Sequence, residues 1–245
     1  PWIFPSRLAL ALRAAGFEVE LACPADQVAR HVTPAFKIYD VGYLREQHDI
    51  ARSLASAAPD LVIPCDDRST RFLHALHSTG TPQLCAVIER SLGDPRHFAT
   101  IQSKSATIAL AKTLGLPIPV SRTFGHKSEI LNHVMTHPLP LVLKRDLTWG
   151  GKGVRIVRDR AELDTAWDDL TCRSLRSMAS STYHRHSLTP LLEYLRLSTP
   201  PVDVQAFVAG TPANCSVMCD RGKVFAQLSV LALETQGETG AAAVV

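Results

Sequence analysis

The six cysteines of this 245-residue chain form no C-x2-C pair and have no histidine at a matching metal-ligand spacing. Cys23, Cys65, Cys85, Cys172, Cys215 and Cys219 are scattered. Neither a zinc module nor a disulfide scaffold is indicated, and a reducing, cytoplasmic compartment is the expectation. Cys215 and Cys219, four apart in a strand-like stretch, read as small apolar residues. The chain also lacks an apolar run near the ~20 residues that would span a bilayer, and it lacks a signal-peptide layout. Neither membrane insertion nor export is suggested. Aromatic residues make up 6%, and lysine and arginine form no long runs. A nucleic-acid groove would want basic runs with interleaved aromatics, so the net charge of +3 suits small anionic ligands better.

What is present is ordinary globular material, 46% hydrophobic and 20% charged, enough for two modest domains or one domain with subdomains. The chain opens without Met and ends in Ala241–Val245, which reads as an unfinished strand. An internal stretch of a longer protein is expected.

One segment organises the rest: Leu141–Val157, LVLKRDLTWGGKGVRIV. The apolar run Leu141, Val142, Leu143 predicts a strand that ends in Lys144, and alternation over Val154, Arg155 and Ile156 predicts a second. Between them Gly150, Gly151 and Gly153 tolerate positive φ and put no side chain between backbone N–H groups and an approaching anion. Lys144 would add a charge-assisted contact to the same phosphates. A Walker A loop fails, because Lys152 is followed by Gly153 and a strand and not by Ser/Thr and a helix. The kinase loop places its lysine downstream of the glycines, and a dinucleotide fingerprint needs a helix after the loop. The competing reading is a tight hairpin that uses glycine for turn geometry alone.

Upstream, 6–15 predicts a helix stopped by Gly16, and 17–23 a strand. A short helix over 25–32, a strand over 36–41, a helix over 47–57 and a strand over Leu61–Pro64 follow, which together predict a small parallel α/β sheet. Asp66 or Asp67 caps a helix over 69–77, in preference to forming a substrate edge with Cys65 and Arg68. His74 and His77 share a face of that helix and read as surface or core histidines. A boundary falls at Gly93–Pro95. Ser103–Leu114 predicts a helix closed by Gly115, with Lys104 at an N-terminus that favours anions: poor for helix stability and well placed for phosphate, or simply solvated. A strand near 120–124 and helices over 129–136 and 161–170 frame the hairpin as an α+β lobe. The basic stretch 171–201 reads as a solvated insertion with a helix over 188–197. Asp203–Val208 begins an antiparallel meander with 214–219, a turn at Asp220-Arg221-Gly222, and 223–233. The loop Glu234–Gly240, ETQGETG, suits substrate or phosphate.

This order of parts resembles the ATP-grasp superfamily, in particular the branch of biotin carboxylase and carbamoyl-phosphate-synthetase-like ligases. The resemblance rests on SKSATIALAKTLGLPIP, LVLKRDLTWGGKGV and VQAFVAG taken in order. It implies a parallel α/β pre-domain over 1–92, a nucleotide-binding α+β lobe with a glycine-rich lid over 93–202, and over 203–245 a hinge and the start of a second, antiparallel lobe. It also implies that Lys104 and Lys144 act in catalysis and bind ATP with Gly150, Gly151 and Gly153. Main chain near Phe207 and Val208 would read the adenine edge, helped by Gln205. Gln205, Ala206, Pro212 and Ala213 stand where hinge and ribose acids are usual. Magnesium is implied too, with its ligands expected downstream of Val245 and none assigned here.

The implied reaction is ATP-dependent joining of a small-molecule carboxylate to an amine or other nucleophile through an acyl phosphate, with the fragment alone inactive. A homodimer is compatible, and no nucleic-acid or membrane partner is expected. The alternatives are a non-catalytic ATP-sensing module, or a phosphotransferase of the same fold.

Overall fold

The computed structural model describes residues 3–32, 36–43, 45–146, 148, 151, 153–171, 201–240 and 242–244. It is a mixed α/β structure in two compact units, one up to Arg96 and one from His97. The basic stretch with its expected helix over 188–197, together with Gly150, lies outside the described residues.

In the first unit, α1 (Phe4–Ala14) leads through Gly16, at φ +91°, to β1 (Glu20–Cys23). That strand pairs in parallel with β2 (Lys37–Asp40), with Glu20 opposite Lys37. Between them, the helix expected over 25–32 is only a 3-10 turn, Val28–Arg30. Helices α2 (Glu46–Ala57), α3 (Asp67–Thr79) and α4 (Pro82–Leu92) follow. Asp66 does cap α3, in a reciprocal pair with Ser69. The strand expected at Leu61–Pro64 does not form among the described residues. The Val62 N–H donates to Ser91 Oγ on α4 at 2.9 Å, and Pro64 has no N–H to give to a ladder.

The second unit opens with α5 (Phe98–Gln102) and α6 (Lys104–Thr113), the latter capped by Ser103, which accepts from the Ala106 N–H. Then come β3 (Ser121–Phe124), α7 (Lys127–Thr136), β4 (Leu141–Arg145), β5 (Val154–Val157), α8 (Glu162–Thr171) and β6 (Val202–Ala206). The four strands make one antiparallel sheet in the order β3-β6-β4-β5. Thus β6 does not start a meander, as its position in the sequence suggests. It is an inner strand of the lobe that holds the glycine hairpin, because each of its edges finds a partner, β3 on one side and β4 on the other. The hairpin of β7 (Ala213–Asp220) and β8 (Lys223–Leu231) pairs with itself through a turn in which Arg221 and Gly222 both take positive φ. The short β9 (Glu234–Thr235) and β10 (Ala242–Val244) pair beyond it.

Period-2 patterning decides which face of the sheet is dry. Leu141 and Leu143 of β4, Val202 and Val204 of β6, Phe124 and Val157 point one way and are buried. Against them lie Ile130 and Val134 of α7, and Leu163, Ala166, Trp167 and Leu170 of α8. These are the i, i+3, i+4 and i+7 positions of amphipathic helices. The opposite face of the sheet is left for other work.

Candidate functional site

On that opposite face the register places two rows of side chains. One row runs Thr123, Asp203, Lys144, Val154, and the next runs Ser121, Gln205, Val142, Ile156. Lys144 therefore points away from the core, on the side where Gln205 also stands. Both rows are set by the alternation that buries their neighbours.

Lys104 reaches the same region from α6. Its ammonium donates to the carbonyl oxygens of Arg145 at 2.9 Å and Thr148 at 3.3 Å, where the chain leaves β4 for the glycine loop. The Lys104 N–H donates to Asp146 Oδ1 at 2.8 Å, and Ser103 Oγ donates to Asp146 Oδ2 at 2.9 Å. The anion that α6 attracts to its N-terminus is thus the carboxylate of Asp146, which locks helix to strand. The lysine at that N-terminus donates from its ammonium to two carbonyls. It is half-buried and anchored to the loop.

The two lysines lie within electrostatic reach of one another. Burial, and next the charge of Lys104, lower the pKa of Lys144, while Asp203 acts the other way. Burial raises the pKa of the Asp203 carboxyl, against the hydrogen bond from Thr123, with Asp146 raising it further and Lys104 and Lys144 opposing. Thr123 Oγ1 donates to Asp203 Oδ1 at 2.5 Å. Groups from α6, β3, β4 and β6 therefore share one field.

The glycines are required by close approach. Gly151 has φ +75°, and a Cβ there would strike the carbonyl of Thr239. A Cβ on Gly153 would strike the Thr148 side chain. The ETQGETG segment is what lies against Gly151: Thr239 Oγ1 donates to the Gly151 carbonyl at 3.5 Å, and Glu238 pairs with Arg158 just after β5. A loop noted in the sequence for its polarity is in fact the partner of the glycine loop.

Lys104, Lys144, Gly151 and Gly153 thus come together. Gln205 is buried in the row beside Lys144, 5% exposed. Phe207 and Val208 follow β6 and are exposed at 41% and 69%. The Phe207 N–H donates to the Pro140 carbonyl at 3.3 Å. Sequence reasoning missed Asp146, Thr123 and Asp203. For Asp203 a signal existed: a lone charge between two valines, in phase with Gln205. An open groove of about 400 Å³ lined by Arg155, Asp159, Glu162 and Asp169 lies elsewhere on the lobe. Arg155 pairs with Asp169 there at 3.0 Å, and Asp159 and Glu162 accept the backbone N–H groups of Glu162 and Arg158, so the convergent lysines make the stronger candidate.

Known proteins can be set beside this geometry. No family model matches the chain. The carboxyaminoimidazole ribonucleotide synthase of Aspergillus clavatus, solved with ATP, superposes with a TM-score of 0.62 at 15% identity, over 94% of this chain and 51% of that one. The biotin carboxylase domain of the Hydrogenobacter thermophilus 2-oxoglutarate carboxylase, solved with MgADP, ADP and bicarbonate, gives 0.55 at 15% identity, over 82% and 41%. The chain has the ATP-grasp fold. A formate-dependent phosphoribosylglycinamide formyltransferase from Pelobacter propionicus is 25% identical over 125 residues, 51% of this chain and 30% of its own length. The chain spans about half the length of the first of these structures and less than a third of that curated relative. No helix among the described residues is long and apolar enough to cross a membrane.

Proposed function

We propose that this chain is the nucleotide-binding part of an ATP-dependent ligase that joins a small-molecule carboxylate to an amine or another nucleophile. The observation that carries the reading is the convergence of Lys104 and Lys144, from two separate segments, beside a glycine loop on the face of the sheet away from its core. The similar proteins solved with ATP or ADP support the same choice of ligand.

The two ammonium groups and the loop N–H groups would hold the phosphate tail. Lys144, on a rigid strand, is aimed by sheet register, and Lys104 is aimed by its two carbonyl anchors. In phosphoryl transfer most of the protein's task is positioning and charge neutralisation. The γ-phosphoryl passes to the substrate carboxylate as its bond to the ADP oxygen breaks. The nucleophile then attacks the acyl carbon and inorganic phosphate leaves. At the base, the Phe207 carbonyl and the main chain of Val208 serve the adenine edge, and Gln205 closes the row beneath it. Among the described residues no group of three or more acids, histidines or cysteines is placed to hold a metal ion, and magnesium ligands are assigned to none of them.

The neutral Gln205 and Ala206 at the hinge favour a second reading, an ATP-sensing module without chemistry. Release of both ADP and free phosphate by the full-length protein, given a carboxylate and an amine, separates ligase from sensor.

The direct test is a calorimetric titration of ATP into this chain and into Lys144→Met. Loss of one charge-assisted contact should weaken binding by about 10- to 100-fold. Failure of the wild-type chain to bind ATP overturns the reading.

A further inference from the structure

Asp203 is an anomaly in its strand. Val202 and Val204 on either side fill the core at 0% and 1% exposure, and packing asks for nothing charged between them. Yet Asp203 is 6% exposed, and burying a carboxylate is unfavourable unless something compensates. A small apolar or hydroxyl residue would serve the sheet as well. The group therefore calls for a reason beyond the fold.

Its surroundings supply one. Asp203 stands opposite Lys144 on β4 and opposite Thr123 on β3. The hydroxyl of Thr123 takes Oδ1, and no ion pair joins the carboxylate to Lys144 or Lys104 among the described residues. The charged groups facing it are Lys144 from β4, Asp146 just after that strand and Lys104 from α6, while β3 offers the neutral Thr123. Two lysines forced together in a half-buried site repel one another and favour loss of a proton. A carboxylate nearby offsets that. One bonded directly to an ammonium would instead occupy the donors a phosphate needs.

We propose that Asp203 is a positioning residue for the two lysines: held back by Thr123, it supplies the counter-charge that keeps Lys144 an ammonium beside Lys104 while leaving its donors to the ligand. The inference deepens the nucleotide-site reading and rests on it. Burial and Lys104 both push the Lys144 ammonium toward deprotonation and Asp203 pushes back, which agrees with this role.

The test follows the titration of Lys144 by NMR on the whole chain labelled at lysine, assigned with Lys144→Met, and runs ATP calorimetry from neutral to alkaline pH in parallel. Asp203→Asn should lower the Lys144 titration by about one pH unit and move the alkaline loss of ATP affinity down with it. Thr123→Val frees the carboxylate to reach the ammonium. It should raise the Lys144 titration and weaken ATP binding at neutral pH by about tenfold, the opposite sign on one readout. If Asp203→Asn does not fold, Thr123→Val decides alone. A Lys144 titration unmoved in the folded variants overturns the role of Asp203 even where ATP binds normally. If the wild-type chain binds no ATP, the nucleotide reading falls, and the lysine titration still reports whether Asp203 controls that charge.

Discussion

Asp146 accepts the backbone N–H of Lys104 at 2.8 Å across 42 residues of sequence, and with that bond helix α6 is closed onto the strand that carries Lys144. The second oxygen takes Ser103 Oγ at 2.9 Å, so one carboxylate ties the cap residue and the first residue of the helix to the root of the glycine loop. Asp146→Ala should lower stability by about 1–3 kcal/mol, the sum expected of a lost helix cap and a charge-assisted bond. ATP affinity should fall with it, because Lys104 loses its anchor. Asp146→Asn keeps an acceptor and should recover part of both. Thermal melts and calorimetry on the same three proteins check the pairing.

The dry side of the sheet predicts a different kind of sensitivity. Trp167 is 5% exposed between Leu163 and Leu170 at 1% each, under a sheet with no slack at Leu143, 0% exposed. Trp167→Ala should be destabilising by about 3–5 kcal/mol, measured by denaturant unfolding. By contrast, Lys127 reaches Asp164 at 2.9 Å and Asp168 at 3.3 Å in solvent, where water and salt screen the charges. Lys127→Met should change the midpoint little, and that small change should vanish in high salt.

These two cases also show what could be read from the sequence. Helix α8 and strands β4 and β5 announce themselves by local period, and the glycine hairpin by its composition. Lys104 and Lys144 were legible as cations at the ends of such elements. Asp146 as the acceptor for the first N–H of α6 was not, because its partner lies 42 residues upstream and no local pattern encodes that meeting. The same holds for β6, whose place between β3 and β4 is a matter of long-range pairing. Leu61–Pro64 misled in the other direction. Its apolar run has strand propensity, but the Val62 N–H found a serine hydroxyl in place of a ladder. Helix α4 (Pro82–Leu92) passed unread, although Thr81 caps it and Pro82 opens it.

His133 gives the fold a pH dependence of definite sign. Its ring stacks on His137 with centroids 3.6 Å apart and lies 5.0 Å from the Phe124 ring. Burial first, then His137 and Arg122, hold its pKa below the ordinary imidazole value. A histidine depressed in the folded state binds fewer protons there than in the unfolded chain. Its contribution is therefore present above the unfolded pKa of about 6.5 and is lost as pH falls from there through the folded value. Between pH 8 and about 5.5 the wild-type midpoint should drop more than that of His133→Gln, the window being set by the imidazole reference value. Equal drops would show that the stacked ring carries no charge penalty.

The glycine loop and the ETQGETG segment should act as one body. Gly151 accepts Thr239 because it has no Cβ and sits at φ +75°, and Glu238 pairs with Arg158 at the far end of the hairpin. Gly151→Ala meets two obstacles at once, a disfavoured backbone region and a collision with a carbonyl, and should be destabilising by about 1–3 kcal/mol. Glu238→Gln removes only the charge at the other end. If the two segments cover the phosphates together, ATP should protect both from protease cleavage in the wild-type chain. In Gly151→Ala that protection should be lost for the loop and for residues 236–240 alike, and in Glu238→Gln it should weaken for both. Protection of one segment that survives loss at the other would separate them, and the contact at Thr239 would then be packing without a share in holding the ligand.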